Sequence, residues 1–212
     1  MRRDSHSSVN VSERGYALVS LLLVMSLLAL FALGAAENVR QQGQREREKE
    51  AIFRGEQVGD AIRSYYLYRG ANGVNALPRT MDDLLQGIPR GTKKLQILRT
   101  EAARDPLSKS GEWKLIGPTS ESVGAFVKDL TVYSGGTPPQ PRGRMANLAS
   151  VIPQMRNVLD TGSTSTGRGG EDDSADSSGP FLGVASRSQR NSVMTYYGID
   201  HHDGWIFTPL FR

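Results

Sequence analysis

The chain predicts an α+β fold: a long N-terminal helix, half transmembrane and half amphipathic, packed on a small C-terminal antiparallel sheet. Three stretches carry that expectation. Residues 16–36 (YALVSLLLVMSLLALFALGAA) are 21 residues without a charge. Residues 37–68 continue in helix-forming residues and without proline. Near the other end, Ser192-Val193-Met194-Thr195-Tyr196-Tyr197 and Trp205-Ile206-Phe207 are β-branched and aromatic runs separated by Gly198 and a polar turn region.

At about 1.5 Å rise per residue the first stretch makes a helix of about 31 Å, the thickness of a bilayer's hydrocarbon core. Lipid offers no partners to backbone N–H and C=O groups, so a segment this apolar is stable in a membrane only as a helix. Tyr16, Ser20 and Ser26 place hydroxyls in it. A serine hydroxyl can return to a carbonyl one turn earlier, so neither serine argues against spanning. A cleaved secretory signal has a shorter apolar core, roughly 7–15 residues, although Leu33-Gly34-Ala35-Ala36 offers small residues for a cleavage site. An uncleaved signal anchor is the plainer membrane reading. Residues 1–15 are polar and turn-prone and read as a leader, with His6 a bystander.

Arg45-Glu46-Arg47-Glu48-Lys49-Glu50 alternates in sign and reads as a solvated helix face supported by i,i+4 pairs. Beyond it Ile52, Gly55, Val58 or Gly59, Ile62 and Tyr65-Tyr66 recur at helical spacing, a stripe suited to lie against a sheet. Tyr65, Tyr66 and Tyr68 read as core and rim packing rather than a binding surface. Gly70-Ala71-Asn72-Gly73 breaks the helix; from 16 to 69 it would reach about 80 Å. After Pro78 a second helix starts at Thr80, with Asp82 and Asp83 in its first turn and Met81, Leu84 and Leu85 as its apolar face. Leu95-Gln96-Ile97-Leu98 extends that helix or forms a short strand. Asp105-Pro106 opens a turn before a strand ended by Gly117-Pro118, in which Trp113 and Leu115 alternate with Glu112, Lys114 and Ile116.

Residues 134–180 differ in character. Ser134-Gly135-Gly136-Thr137-Pro138-Pro139-Gln140-Pro141 is linker-like, and 145–159 suit a short amphipathic turn or helix broken at Pro153. Residues 162–179 hold no large apolar side chain and cannot offset their ordering entropy by burial. Residues 181–186 then give a third strand beside a terminal hairpin formed by 192–197 and 205–207. The expected organisation is a leader (1–15), a transmembrane helix (16–36), a head (37–133), a flexible insertion (134–180) and strands completing the head (181–212).

With 38% hydrophobic residues, many of them in the apolar helix, the remaining core is small. The net charge of +4 is spread thinly and forms no aromatic-interleaved basic patch, which argues against a nucleic-acid partner. The absence of cysteine excludes disulfides and thiolate metal sites.

The junction Glu13-Arg14-Gly15/Tyr16-Ala17-Leu18-Val19 resembles the processing site of the type IV pilin and type II secretion pseudopilin family. In that family a prepilin peptidase cuts after a glycine on the cytoplasmic side and methylates the new N-terminal residue. The resemblance makes Gly15 and Tyr16 the processing residues. It also makes Ser20, fifth in the mature chain, the assembly position. Most members carry there a glutamate thought to pair with a neighbouring subunit's N-terminal amine. A serine cannot form that ion pair, which points away from an orthodox major pilin. The proline common later in the apolar half is also missing, and Gly34 is the only helix-weakening residue there. The charged run of RExE type, FRGEQ (Phe53 to Gln57), Tyr65-Tyr66, LPRTMDDLL and DPLSKSGEW follow in the order seen in pseudopilin-like proteins, over roughly residues 12–118. GVASRS, SVMTYYG and GWIF are similar to the C-terminal sheet of the same group.

The resemblance implies a pilin-like fold and a structural subunit of a type II secretion or type IV pilus-like apparatus. Its implied partners are a prepilin peptidase, other pilin or pseudopilin subunits, the inner membrane and the secretion or pilus assembly platform. The implied location is the inner (cytoplasmic) membrane, single-pass, with the C-terminal domain periplasmic. Counting Lys and Arg alone favours the opposite orientation: Arg2, Arg3 and Arg14 precede the span, whereas Arg40, Arg45, Arg47, Lys49 and Arg54 follow it. The junction is more specific than a difference of two charges. The alternative function is a single-pass, membrane-anchored extracytoplasmic binding module that uses the hairpin at 196–207 and has no need of Gly15.

Catalytic and cofactor chemistry finds little footing. His201 and His202, beside Asp200 and Asp203, are the only cluster with metal-ligand residue types, but adjacent residues of an extended chain point to opposite sides. Some major pseudopilins bind calcium through oxygen ligands. Here the acidic run Glu171, Asp172, Asp173 and Asp176 lacks the glycine-punctuated spacing of such a loop and reads as a solvated segment. Gly167-Arg168-Gly169-Gly170 follows no strand and precedes no helix, so no phosphate cradle is implied. No serine sits in a nucleophile-elbow context. The expectation is a non-enzyme without metal or cofactor.

Overall fold

The computed structural model describes residues 12–137, 140–141, 143–148 and 179–211. The chain divides into two units, Met1–Gln44 and Arg45–Arg212, and one helix, α1 (Ser12–Tyr68), contributes to both. In the first unit every described side chain from Tyr16 to Phe31 is exposed. The Ser20 hydroxyl donates to the Ala17 carbonyl (2.9 Å) and that of Ser26 to the Leu22 carbonyl (2.8 Å), as the sequence predicts. Among the described residues no helix is long and apolar enough to cross a membrane; the side chains of 32–36, the last part of the expected span, lie outside them.

The second unit is an α+β head. Its part of α1 buries Ala51, Gly55, Val58, Gly59, Ile62 and Tyr66. The helix stops in a Schellman motif: the Gly70 N–H bonds the Leu67 carbonyl and the Ala71 N–H the Tyr66 carbonyl, with Gly70 at φ 92°. The helix α2 (Met81–Leu85) begins in a reciprocal capping box, Thr80 accepting from the Asp83 N–H and Asp83 from the Thr80 N–H. A hairpin of β1 (Ile88–Arg90) and β2 (Lys93–Leu95) follows, so 95–98 neither extends α2 nor forms a strand of its own, and Leu98 is buried from a loop.

The strand β3 (Lys114–Ile116) pairs antiparallel with β4 (Gly183–Ala185). Ile116 in β3 and Trp113 just before it are buried and Leu115 is half-buried, not the alternation expected. Between these strands in sequence lies a helix that the pattern analysis did not anticipate, α3 (Glu121–Tyr133), whose Val123, Phe126, Val127 and Leu130 are buried at i, i+3, i+4 and i+7. A 3₁₀ turn, Gly143–Leu148, buries Met145 and Leu148, and the Asn147 amide donates to the Ala71 carbonyl (2.9 Å). The rest of 149–178, including the expected helix to 159, lies outside the described residues.

The terminal hairpin is built differently from expectation. The strand β5 (Asn191–Tyr196) pairs with β6 (Ile199–His201), not with 205–207. Tyr197 and Gly198, at φ 51° and 80°, supply the two positive φ values of a two-residue turn, so the polar stretch read as a loop becomes a strand. Phe207 instead exchanges both backbone hydrogen bonds with Val184 (3.1 and 2.8 Å). Among the described residues the strands form three two-stranded ribbons, and the expected C-terminal strands fall into two of them, β3–β4 and β5–β6. The tail lies on α1 because that face is small: the Phe207 ring occupies the space a Cβ on Gly55 would need, and the Thr208–Pro209 backbone passes Gly59 in van der Waals contact.

Two consequences are measurable. Gly55→Ala should lower the head's stability by about 1–3 kcal/mol through overpacking against Phe207. Gly43→Ala, where a Cβ meets nothing, should be neutral or stabilising by up to about 1 kcal/mol in thermal unfolding. Burial pushes the Tyr66 phenol above its ordinary 10.0, outweighing the Gly73 backbone, which draws it down; that contact falls short of a well-formed hydrogen bond. The native state then keeps the proton where the unfolded chain loses it, so stability falls as pH rises through about 10. Tyr66→Phe should flatten that alkaline slope and change stability at neutral pH by no more than about 1 kcal/mol.

Candidate functional site

Two regions are candidates, one in each unit. In the first, Gly15, Tyr16 and Ser20 all lie on α1, Tyr16 and Ser20 one turn apart on the same face. Tyr16 is 78% exposed, and nothing described stands within 4 Å of a Cβ built on Gly15. The side chains that follow are apolar on every side of the helix, with Leu22 and Phe31 as open as Leu18 and Leu28. A helix with no polar face needs lipid or other helices around it. Because both serine hydroxyls are satisfied by their own helix, they do not interrupt that surface.

In the head the outstanding feature is a carboxylate where the charge pattern predicts a solvated one. Glu48 has no exposure, whereas Glu46 and Lys49 of the same run are open and pair with each other at 3.1 Å. A buried carboxylate is tolerable only if hydrogen-bond donors replace its water. Val193 donates its N–H to both Glu48 oxygens (2.9 and 3.1 Å) and Met194 to Oε2 (2.8 Å). His202, itself buried, places Nε2 at 3.0 Å from Oε1. With Nε2 as donor, Nδ1 accepts the Ser188 hydroxyl at 3.1 Å.

The chain of bonds continues. The Ser188 N–H donates to Ser186 Oγ (3.1 Å), and the Ser186 hydroxyl donates to Oδ2 of buried Asp105 (2.7 Å). Asp105 also accepts the Leu107 N–H (2.9 Å) and the Arg187 N–H (3.3 Å). Residues 186–202 are thereby held at both ends by carboxylates belonging to the N-terminal half. Serine, imidazole and carboxylate are the residue types of a nucleophilic relay, but the Glu48 oxygens are occupied by strand N–H groups and the imidazole is sealed. The arrangement can hold β5 against α1.

His201 faces the other way, toward Asp200 (3.3 Å) and Asp203 (3.8 Å), so the two histidines diverge as expected of neighbours. Among the described residues no group of three or more His, Asp or Glu is placed to hold a metal ion. His6, Gly167 to Gly170 and the acidic run at 171–176 lie outside the described residues. An open cleft of about 380 Å³ is lined by Gln57, Asp60, Arg99 and the 96–98 segment. Pattern analysis missed Glu48 and His202. The available signal was position: Glu48 lies seven residues before Gly55 and eleven before Gly59, in phase with the stripe.

Comparison of the chain with protein-family models, curated proteins and solved structures finds no match.

The two glutamates of one charged run should respond oppositely to substitution. Glu48→Ala leaves two backbone N–H groups and an imidazole without their acceptor and should cost about 3 kcal/mol or more in urea unfolding. Glu48→Gln keeps one acceptor oxygen and should cost about 1–2 kcal/mol. Glu46→Ala should stay within about 0.5 kcal/mol. Equal effects at the two positions would refute the clamp.

Proposed function

We propose that this chain is a pseudopilin-like structural subunit of a type II secretion or type IV pilus-like apparatus, assembling through its N-terminal helix after prepilin-peptidase cleavage between Gly15 and Tyr16. One observation carries the reading. A single helix bears, directly behind Glu13-Arg14-Gly15, an uncharged stretch exposed on all sides, and also serves as the spine of an α+β head. The α+β class and the tail from Phe207 to Pro209 lying on the helical stripe support a pilin-like architecture. The order of the FRGEQ, LPRTMDDLL and DPLSKSGEW motifs supports the pseudopilin branch.

The work proposed is assembly, not catalysis. Processed subunits wait in the inner membrane with the head on the periplasmic side. Transfer into a filament exchanges helix–lipid for helix–helix packing. Leu21, Leu22, Leu23, Leu28 and Leu30 supply apolar contact, and Ser20, Ser26, Ala29 and Gly34 permit close approach. Ser20 removes the usual amine–carboxylate contact, which suits a minor or priming subunit.

Intact mass and N-terminal sequencing of the membrane-extracted protein, produced with and without a prepilin peptidase, test the reading. The expected product is an N-methylated chain beginning at Tyr16, abolished by Gly15→Val. A Met1 terminus in the peptidase's presence would reduce the protein to a signal-anchored module. A start near Glu37 would make it a secreted domain, incompatible with filament assembly.

A further inference from the structure

The hairpin of β1 and β2 carries charge that the described structure leaves uncompensated. Its register sets Arg90 directly opposite Lys93 across the Gly91-Thr92 turn, with Lys94 next along, opposite Pro89. All three cations are exposed, and none makes an ion pair with a described residue. From Gln86 to Thr100 the sequence contains neither aspartate nor glutamate. Like charges facing each other destabilise an antiparallel pair, and a two-stranded ribbon is marginal already. Lysine and proline suffice to blunt a strand edge against strand addition; an arginine facing a lysine is not needed for that. An anionic group seated between them turns the repulsion into two attractions.

The complement lies in the same sequence. Glu171, Asp172, Asp173 and Asp176 concentrate four acids within six residues, set among glycine and serine. We infer that the cationic hairpin of one copy receives the acidic run of a second copy, whose carboxylates bridge Arg90 and Lys93 and reach Lys94. Arg90 can grip a carboxylate with two parallel N–H bonds, and the lysines add point charges. Two different surfaces meet in this contact, so it can pass from copy to copy along an assembly. The inference rests on the assembly reading above. Exposed ion pairs are individually weak, and they matter where apolar helices already hold the copies at high local concentration.

The test uses full-length chains labelled with light and heavy nitrogen, mixed in one membrane extract, with an affinity tag on the light population. A zero-length carbodiimide joins lysines to carboxylates in direct contact, and mass spectrometry identifies the joined peptides. Mixed light–heavy links from Lys93 or Lys94 to Glu171, Asp172 or Asp173 are expected. Their yield should fall about threefold or more between about 0.05 M and about 0.5 M salt. It should fall similarly in Arg90→Glu, which keeps both lysines.

Links found only within one isotope would overturn the inference, because the run would then lie on its own hairpin. Co-isolation of heavy chains on the tag without these links would overturn it while leaving the assembly reading intact. So would a hairpin that, lacking these links, binds phosphatidylglycerol vesicles and loses that binding in Arg90→Glu. Failure of heavy chains to co-isolate at all would overturn both.

Discussion

A carboxylate shut away from water constrains this head more than any other group. Glu48 arrives on α1 and cannot be buried until donors meet it, and Val193, Met194 and His202 bring such donors from the other end of the chain. The bond therefore fixes where the end of the chain must lie and in what register. The strand β5 is twice as long as its partner β6, and only its two ends pair in register. The N–H groups of Val193 and Met194, in the unpaired middle, turn to the helix instead. Glu48 does for them what a neighbouring strand would do. Moving β5 by one residue would turn its side chains to the opposite faces and carry these N–H groups off the carboxylate.

The rest of the helix face is shaped to the same approach. Two turns beyond Glu48 comes Gly55 and one turn later Gly59, so the tail can lie almost against the helix backbone. Phe207 fills the space at Gly55 and meets Trp113 edge-on at 5.7 Å, while Trp205 closes the layer with its indole N–H on the Ile199 carbonyl (3.0 Å). Asp105 performs at the DPLSKSGEW turn the task that Glu48 performs on the helix, taking Ser186 and Arg187. Segments far apart in sequence are joined by few and very short ribbons. Polar bonds inside the core therefore carry the specificity that a larger sheet would supply through its ladder.

The legible parts of this fold were those governed by local rules. The long helix, its stop at Gly70 and the Thr80 start follow from propensity, left-handed glycine and capping, each a matter of a few neighbouring residues. Helix α3 obeys the same rules, with apolar residues at 123, 126, 127 and 130, and was overlooked rather than illegible. The hairpin partner of β5 was misjudged because Tyr197 does not advertise a positive φ as glycine or asparagine does. Glu48 was illegible for a deeper reason. In Arg45-Glu46-Arg47-Glu48-Lys49-Glu50 nothing in composition separates the one buried acid from its solvated neighbours. Only the phase of the helix and the arrival of a strand from 145 residues away decide it. His202 differs from His201 for the same reason. Of the assembly candidates, Ser20's internal hydrogen bond was readable in advance, since a serine in an apolar helix has no other partner.

That internal bond bears on how copies of such a chain would find one another. A glutamate in the apolar segment must be paired, so it fixes one helix against the next with high penalty for error. Ser20 carries no such penalty, because its hydroxyl is content with the Ala17 carbonyl in any surroundings. Leucine packing in lipid is adaptable and specifies register weakly, and the small residues offer closeness without direction. In a filament of such helices, discrimination between correct and incorrect neighbours must come from groups outside the apolar segment, where an incorrect partner leaves charges facing like charges. The cations at the tip of the β1–β2 hairpin are such groups. Their mutual repulsion is small enough for one copy to tolerate, and the acidic surface proposed above would relieve it.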